Sequence, residues 1–158
     1  MSVNLPPFQV LLEEHRADVY RFLVATAGSS EADDVFQETW IAALRAYPRL
    51  RRADNLRAWL FRIAQNKSID AHRARGRRAV PVAAVPEGAS ASSPADDDPE
   101  LLARVRELPA KQRTAVFCRS VLAMPYDELA TLLESSEEAA RRNVHEGLKC
   151  LREELTDD

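Results

Sequence analysis

The sequence predicts an all-α protein: two small helical domains joined by a flexible acidic linker, the second containing a helix-turn-helix. Three observations lead there. Gly makes up 4 of 158 residues, against many Ala, Leu, Arg and Glu, a bias toward helix and away from sheet. Apolar residues recur at three-to-four spacing through two long blocks. Between the blocks, residues 79–99 hold Pro81, Pro86, Pro94 and Pro99, the small run Gly88-Ala89-Ser90-Ala91-Ser92-Ser93 and Asp96-Asp97-Asp98, with neither helical nor strand period. Proline removes backbone donors and small polar residues have little to bury, so this stretch reads as a linker between a first domain, 1–78, and a second, 100–158.

In the first domain Phe8, Leu11, Leu12, Val19, Phe22 and Leu23 mark one helix, which Gly28 ends. Ser30 with Asp33 gives a capping-box-like start to a second, which buries Ala32, Val35, Phe36, Ala43 and Leu44 and stops near Pro48. A basic loop follows from Arg49 to Asp54. Asp54 is the expected N-cap of a third helix with Leu56, Trp59, Leu60, Ile63 and Ala64 inward, running out into Arg73, Arg75, Arg77 and Arg78. In the second domain Asp98-Pro99-Glu100 is a cap, a first-turn proline and an acidic first turn, opening a helix with Leu101, Leu102, Val105 and Leu108. Pro109 starts a helix that buries Val116, Phe117 and Val121. Pro125 separates it from Tyr126 to Leu133, and Glu134-Ser135-Ser136 is a tight turn. The last helix runs from about Glu137 to Glu154, with Ala140, Val144, Leu148, Leu151 and Leu155 as its apolar stripe.

Composition excludes several classes. No apolar run reaches the roughly 18–20 residues of a membrane span. Met1 to Pro7 lack the basic start and apolar stretch of a secretory signal. Cys118 and Cys150, with no CxxC, speak against a disulfide scaffold or a cysteine zinc site. No Gly-rich phosphate loop or nucleophile motif occurs. The expectation is a cytoplasmic, non-enzymatic chain with no cofactor, no metal and no membrane insertion. Net charge is −3, but it is unevenly spread: +4 over residues 1–78, −4 over 79–99 and −3 over 100–158.

Three surfaces could carry function. The last two helices read as a helix-turn-helix, whose second helix carries Glu138, Arg141, Arg142, His145 and Lys149 on its outer face. Such a face can enter a major groove, where Arg binds guanine by two hydrogen bonds and Glu accepts from cytosine. On spacing alone a solvated polar face explains it as well, and Glu134, Glu137, Glu138 and Glu146 would repel phosphates. On the third helix Arg57, Arg62, Lys67, His72, Arg73, Arg75, Arg77 and Arg78 are interleaved with Trp59 and Phe61, a mixture suited to melted DNA; Phe61 itself reads as core. Asp33-Asp34-Val35-Phe36-Gln37-Glu38-Thr39-Trp40 is acidic, but adjacent helical residues diverge by about 100°, so protein docking fits Asp33 and Asp34 better than catalysis.

Taken together, these segments resemble bacterial extracytoplasmic-function (ECF) sigma factors of the two-domain type. Ala32 to Trp40 is similar to that family's core-polymerase-binding helix of region two. Leu56 to Asp70 resembles its promoter-melting and minus-ten-reading helix. Leu108 to Arg113 resembles the opening of region four. Tyr126 to Ala130 and Ser136 to Arg152 resemble the helix-turn-helix that binds the minus-thirty-five element. The resemblance implies a factor that binds core RNA polymerase and directs promoter-specific initiation, with core polymerase, promoter DNA and an anti-sigma factor as partners. It implies polymerase binding through Asp33, Asp34, Gln37, Glu38 and Trp40. It implies minus-ten binding through Arg52, Asn55, Arg57, Trp59, Arg62, Asn66, Lys67, Asp70 and Arg73. Minus-thirty-five binding would fall to Ser136, Glu138, Ala139, Arg141, Arg142, His145 and Lys149. Glu134 stands where the family usually has Gly in the turn. The competing reading is a sigma-like adaptor or anti-sigma-type protein that contacts polymerase without directing initiation.

Overall fold

One glycine joins the first two helices. In this computed structural model, which describes residues 4–77 and 98–156, α1 (Phe8–Ala27) and α2 (Ser29–Ala46) meet at Gly28, whose φ of 93° ends one helix and begins the next. Its N–H donates to the Val24 carbonyl, and its own carbonyl accepts from Ala32. Helix α2 therefore starts earlier than the capping-box pattern implies. Ser30 lies inside the first turn, no side chain caps it, and Asp33 instead accepts a hydrogen bond from Tyr20 Oη at 2.9 Å.

A short 3-10 turn, Tyr47–Arg49, leads to the basic loop and α3 (Leu56–Arg77). Asp54 is one residue too early to cap α3. Asn55 stands immediately before the helix at φ 59°, a left-handed conformation that Asn tolerates, and its carbonyl accepts from Trp59 N–H. Phe22, Leu60, Phe61 and Ala64 are fully buried between α1 and α3, so Phe61 is core. Leu44, expected in the core, is 55% exposed: Ala43 takes the inward position, and Leu44 sits about 100° further round the helix.

Of the predicted linker, 79–99, residues 79–97 lie outside the described residues, whereas Asp98 and Pro99 already belong to the start of the next helix. Asp98 caps α4 (Pro99–Glu107), its Oδ1 accepting from Leu101 N–H at 3.1 Å. Helix α5 (Ala110–Ser120) follows. Arg113 is buried there, and its Nη1 donates to the carbonyls of Arg106 and Leu108 at 2.9 and 3.3 Å, satisfying the end of α4. Val121, expected in the core, lies past the end of α5 and is 43% exposed.

Helix α6 (Tyr126–Leu133) ends in a Schellman-type turn, with Glu134 at φ 54° and Ser135 N–H donating to the Ala130 carbonyl at 2.9 Å. Helix α7 (Glu137–Thr156) then crosses α5 at Gly147. A Cβ on Gly147 would lie 2.5 Å from a Val116 methyl, so the close approach of these helices needs glycine. Ala140, Val144 and Leu151 are buried as the stripe predicts; the Leu155 side chain lies outside the described residues.

The two helical modules pack on each other. Helix α1 contacts α4 and α5, and α3 contacts α6. The Phe22 ring lies 5.4 Å from Phe61 in its own module and 5.5 Å from Phe117 in the other, so one apolar cluster runs through both. Cys118 is buried at this junction, and burial pushes its thiol pKa well up, leaving it an inert packing residue. An open cleft runs along the edge of this junction. It has a volume of about 390 Å³, opens to solvent between α1, α4, α5 and α7, and is lined by Val24, Leu101, Leu102, Val116, Phe117 and Leu148 among others.

Candidate nucleic-acid interface

The basic loop and the start of α3 form an open cleft of about 370 Å³ lined by Arg51, Arg52, Asn55, Trp59 and Arg62 among others. Its volume is in the range of ligand-sized clefts. Four of the predicted minus-ten residues, Arg52, Asn55, Trp59 and Arg62, thus converge on one concavity. Trp59 is half-buried, braced by the Tyr47 ring 6.0 Å away. Tyr47 is held in turn, its hydroxyl donating to the Pro6 carbonyl. Asn66, Asp70 and Arg73 continue the line at helical spacing and are exposed; Lys67 is half-buried off that line. The site combines an aromatic ring, an amide and guanidinium groups at one mouth.

Arg57 does not join them. It lies five residues before Arg62, about 140° round the helix, on the side facing α6. There it makes a two-pronged ion pair with Glu128, at 2.6 Å from Nε and 2.7 Å from Nη2. That hydrogen bond is the main reason the Arg57 pKa is raised. Arg62 is also engaged by α6. Its Nη2 donates to the Thr131 carbonyl at 2.5 Å, its Nε to that of Leu132 at 3.4 Å, and Glu134 lies 3.7 Å away. These carbonyls lie in the last turn of α6, where the dipole favours a cation; that of Thr131 also accepts from Glu134 N–H at 3.3 Å. Thr131 also lines the 370 Å³ cavity. Sequence reasoning had no signal for this contact, because neither half of the pair is unusual in its own segment.

On α2, Asp34, Gln37 and Glu38 are exposed along one face. Ile41 and Leu44, which the sequence reading did not assign to it, extend that face and are 50% and 55% exposed. Asp33 is exposed too, with one oxygen taken by Tyr20. Trp40 is buried beneath the face, edge-on to Phe8 and Phe36, and reaches the surface through a groove it shares with Leu12, Arg16, Phe36, Gln37 and Ile41.

Ser136 caps α7, its Oγ accepting from Ala139 N–H at 3.1 Å. Glu138, Arg141, Arg142, His145 and Lys149 are all exposed, on the side opposite buried Ala140, Val144 and Leu151. Ala139 is half-buried at the base of that face. Arg141 lies over the Tyr126 ring, 4.2 Å from its centroid. Among the described residues, no group of three or more His, Cys, Asp or Glu could hold a metal, and no helix is long and apolar enough to cross a membrane.

Comparison with known proteins matches two stretches of the chain to family models. Residues 11–78 match the family Sigma-70 region 2, and residues 99–151 match Sigma-70, region 4. ECF RNA polymerase sigma factor SigD of Mycobacterium tuberculosis is 38% identical over 92% of this chain and 75% of its own length. RNA polymerase sigma factor CarQ of Myxococcus xanthus is 28% identical over 94% of this chain and 88% of its own. Among solved structures, the sigma factor RpoE bound to the anti-sigma factor NepR from Bartonella quintana shares the fold with a TM-score of 0.75 at 24% identity, covering 96% of this chain and 98% of that one. CnrH in complex with the cytosolic domain of CnrY gives 0.72 at 23% identity, over 96% and 88%.

Proposed function

The chain belongs to the ECF RNA polymerase sigma factors, and from that premise we propose how its surfaces divide the work of binding core polymerase and directing promoter-specific initiation. The exposed face of α2, from Asp34 through Gln37 and Glu38 to Ile41 and Leu44, docks on the clamp helices of the polymerase's largest subunit. Its mixed chemistry, carboxylates beside exposed aliphatic residues, suits a protein partner. The cavity at the start of α3 takes a flipped base of the non-template strand. Unstacking that base costs a few kcal/mol, and stacking on Trp59 returns about 1–3 kcal/mol. Arg51, Arg52 and Arg73 meet the backbone. Helix α7 reads the minus-thirty-five duplex. Such a protein works on the chromosome, in the cytoplasm. The adaptor reading is not favoured, because both matched regions are those of a promoter-directing factor.

The observation that carries the proposal is the contact between α3 and α6. Two cations of the minus-ten helix, Arg57 and Arg62, are taken by the first helix of the helix-turn-helix. The carboxylate and carbonyl oxygens of α6 stand where phosphate oxygens would, and Thr131 narrows the base cavity. Melted DNA and α6 therefore compete for one face. The free chain is closed, and core polymerase, holding the two modules on separate sites at high effective concentration, opens it. An anti-sigma factor is expected to act on the same equilibrium by favouring the closed form.

The test is a distance. Dyes are placed on cysteines introduced at exposed His72 on α3 and Asp127 on α6, in a Cys150→Ser background; Cys118 is buried. Energy transfer should be high in the free chain and fall when core polymerase and promoter are added. Undiminished transfer in a transcribing complex would overturn the opening step.

A further inference from the structure

We propose that Tyr126 is a positioning residue for Arg141, and that this makes Arg141, rather than Arg142, the α7 side chain that reads a base pair in the minus-thirty-five element. The inference rests on reading α7 as the recognition helix.

Two guanidiniums converge on the Tyr126 ring, that of Arg119 at 4.1 Å from its centroid and that of Arg141 at 4.2 Å. Both cations are within cation–π reach of the one ring. Arg119 comes from α5 and is itself anchored, its Nη1 donating to the Met124 carbonyl at 3.1 Å in the turn before α6. The ring is thus held by a fixed cation and is at the same time the seat of Arg141. Three helices, α5, α6 and α7, meet in this stack.

The choice of partner matters. Glu137 lies four residues before Arg141, the spacing at which a helical carboxylate ordinarily pairs with an arginine. A carboxylate would spend the guanidinium's donors and cancel its charge. The aromatic face does neither: it holds the plane by cation–π attraction and leaves the N–H groups at the edge unspent. Among the described residues no hydrogen bond or ion pair involves Arg141. An arginine already held in place loses less side-chain freedom when its fork engages guanine O6 and N7. Arg142 is about 100° further round the helix and exposed, and among the described residues no aromatic ring lies against it. Its flexible charge suits a phosphate, which tolerates many geometries.

The experiment is transcription by the reconstituted holoenzyme from a promoter library randomised across the minus-thirty-five element. The chains compared are wild type, Tyr126→Phe, Tyr126→Leu, Arg141→Ala, Arg142→Ala and the double variant Tyr126→Leu/Arg141→Ala. Arg141→Ala should lose discrimination at one base pair by roughly ten-fold. Tyr126→Leu should lose most of it at that same base pair while keeping preferences elsewhere and affinity for core polymerase. Tyr126→Phe, which keeps the ring, should behave as wild type, and the double variant should be no worse than Arg141→Ala. An Arg141-dependent preference that survives Tyr126→Leu overturns the positioning role, as does a preference that depends on Arg142 alone. If neither arginine affects preference, the recognition reading of α7 falls with it. A measurement on the unaltered chain guards against a misfolded variant: the Arg141 side-chain protons should show an upfield ring-current shift, and random-coil shifts would overturn the stack.

Discussion

Arg57 and Glu128, 71 residues apart in sequence, form a two-pronged ion pair that joins α3 to α6. Charge-assisted pairs of this geometry are among the stronger polar contacts in proteins. This one is shielded, with the Arg57 side chain 30% and the Glu128 side chain 15% exposed. Glu128→Gln keeps the shape and removes the charge. It should destabilise the closed arrangement by about 1–3 kcal/mol and raise the affinity of the free chain for single-stranded minus-ten DNA. Fluorescence anisotropy with a labelled oligonucleotide measures this. Equal affinity for wild type and variant would show that α6 does not compete with DNA.

Removing the docking face should separate polymerase binding from folding. Asp34, Gln37 and Ile41 are exposed, so Asp34→Ala, Gln37→Ala and Ile41→Ser together should leave the melting temperature within a few degrees. Pull-down of core polymerase should be abolished. Normal capture by the triple variant would move the docking site elsewhere on the chain.

Gly147→Ala probes the crossing of α5 and α7. Its added methyl would meet Val116 at 2.5 Å, with the Gln112 carbonyl 3.4 Å away. Overpacking of this kind typically costs about 1–3 kcal/mol, which outweighs the helix propensity that Ala contributes. Thermal unfolding should show a lower midpoint; an unchanged or higher one would mean that the helices part without cost.

His15 makes stability depend on pH. Burial is the main cause of its lowered pKa, with Arg57 adding to it and Glu14, Asp18 and Glu128 opposing. The unfolded chain therefore holds the His15 proton more readily than the folded one. This contribution to stability is level above the ordinary histidine value near 6.5 and declines as pH falls from there toward the lowered folded value. Melting midpoints at pH 7.5 and 5.5 should differ less in His15→Asn than in wild type. Equal differences would remove His15 from the effect.

The helices and their inward stripes were legible in the sequence because they rest on local period: Val19, Phe22, Ala140 and Val144 are buried where the spacing puts them. The outward face of α7 was legible for the same reason. Helix starts were less so. Gly28 begins α2 through its backbone, so the Ser30–Asp33 pattern, although present, caps nothing. Leu44 was misplaced because an apolar residue next to a buried alanine looks like core until the neighbouring helices are known. The α3–α6 contact was invisible. Arg57 and Glu128 each look like ordinary helical charges, and it is the packing of the two modules on each other, Phe22 against Phe117 among other contacts, that brings their helices together. Gly147, whose need is set by a helix from another part of the chain, was silent for the same reason.

Run-off transcription is the most direct measurement of the central claim. Purified core polymerase is mixed with fragmented genomic DNA, with and without the wild-type chain and its Trp59→Ala variant. The account predicts discrete transcripts that require the chain, share minus-ten and minus-thirty-five sequences, and are lost or strongly reduced with Trp59→Ala although that variant still binds polymerase. A wild-type chain that binds core polymerase and yields no discrete transcripts would contradict it.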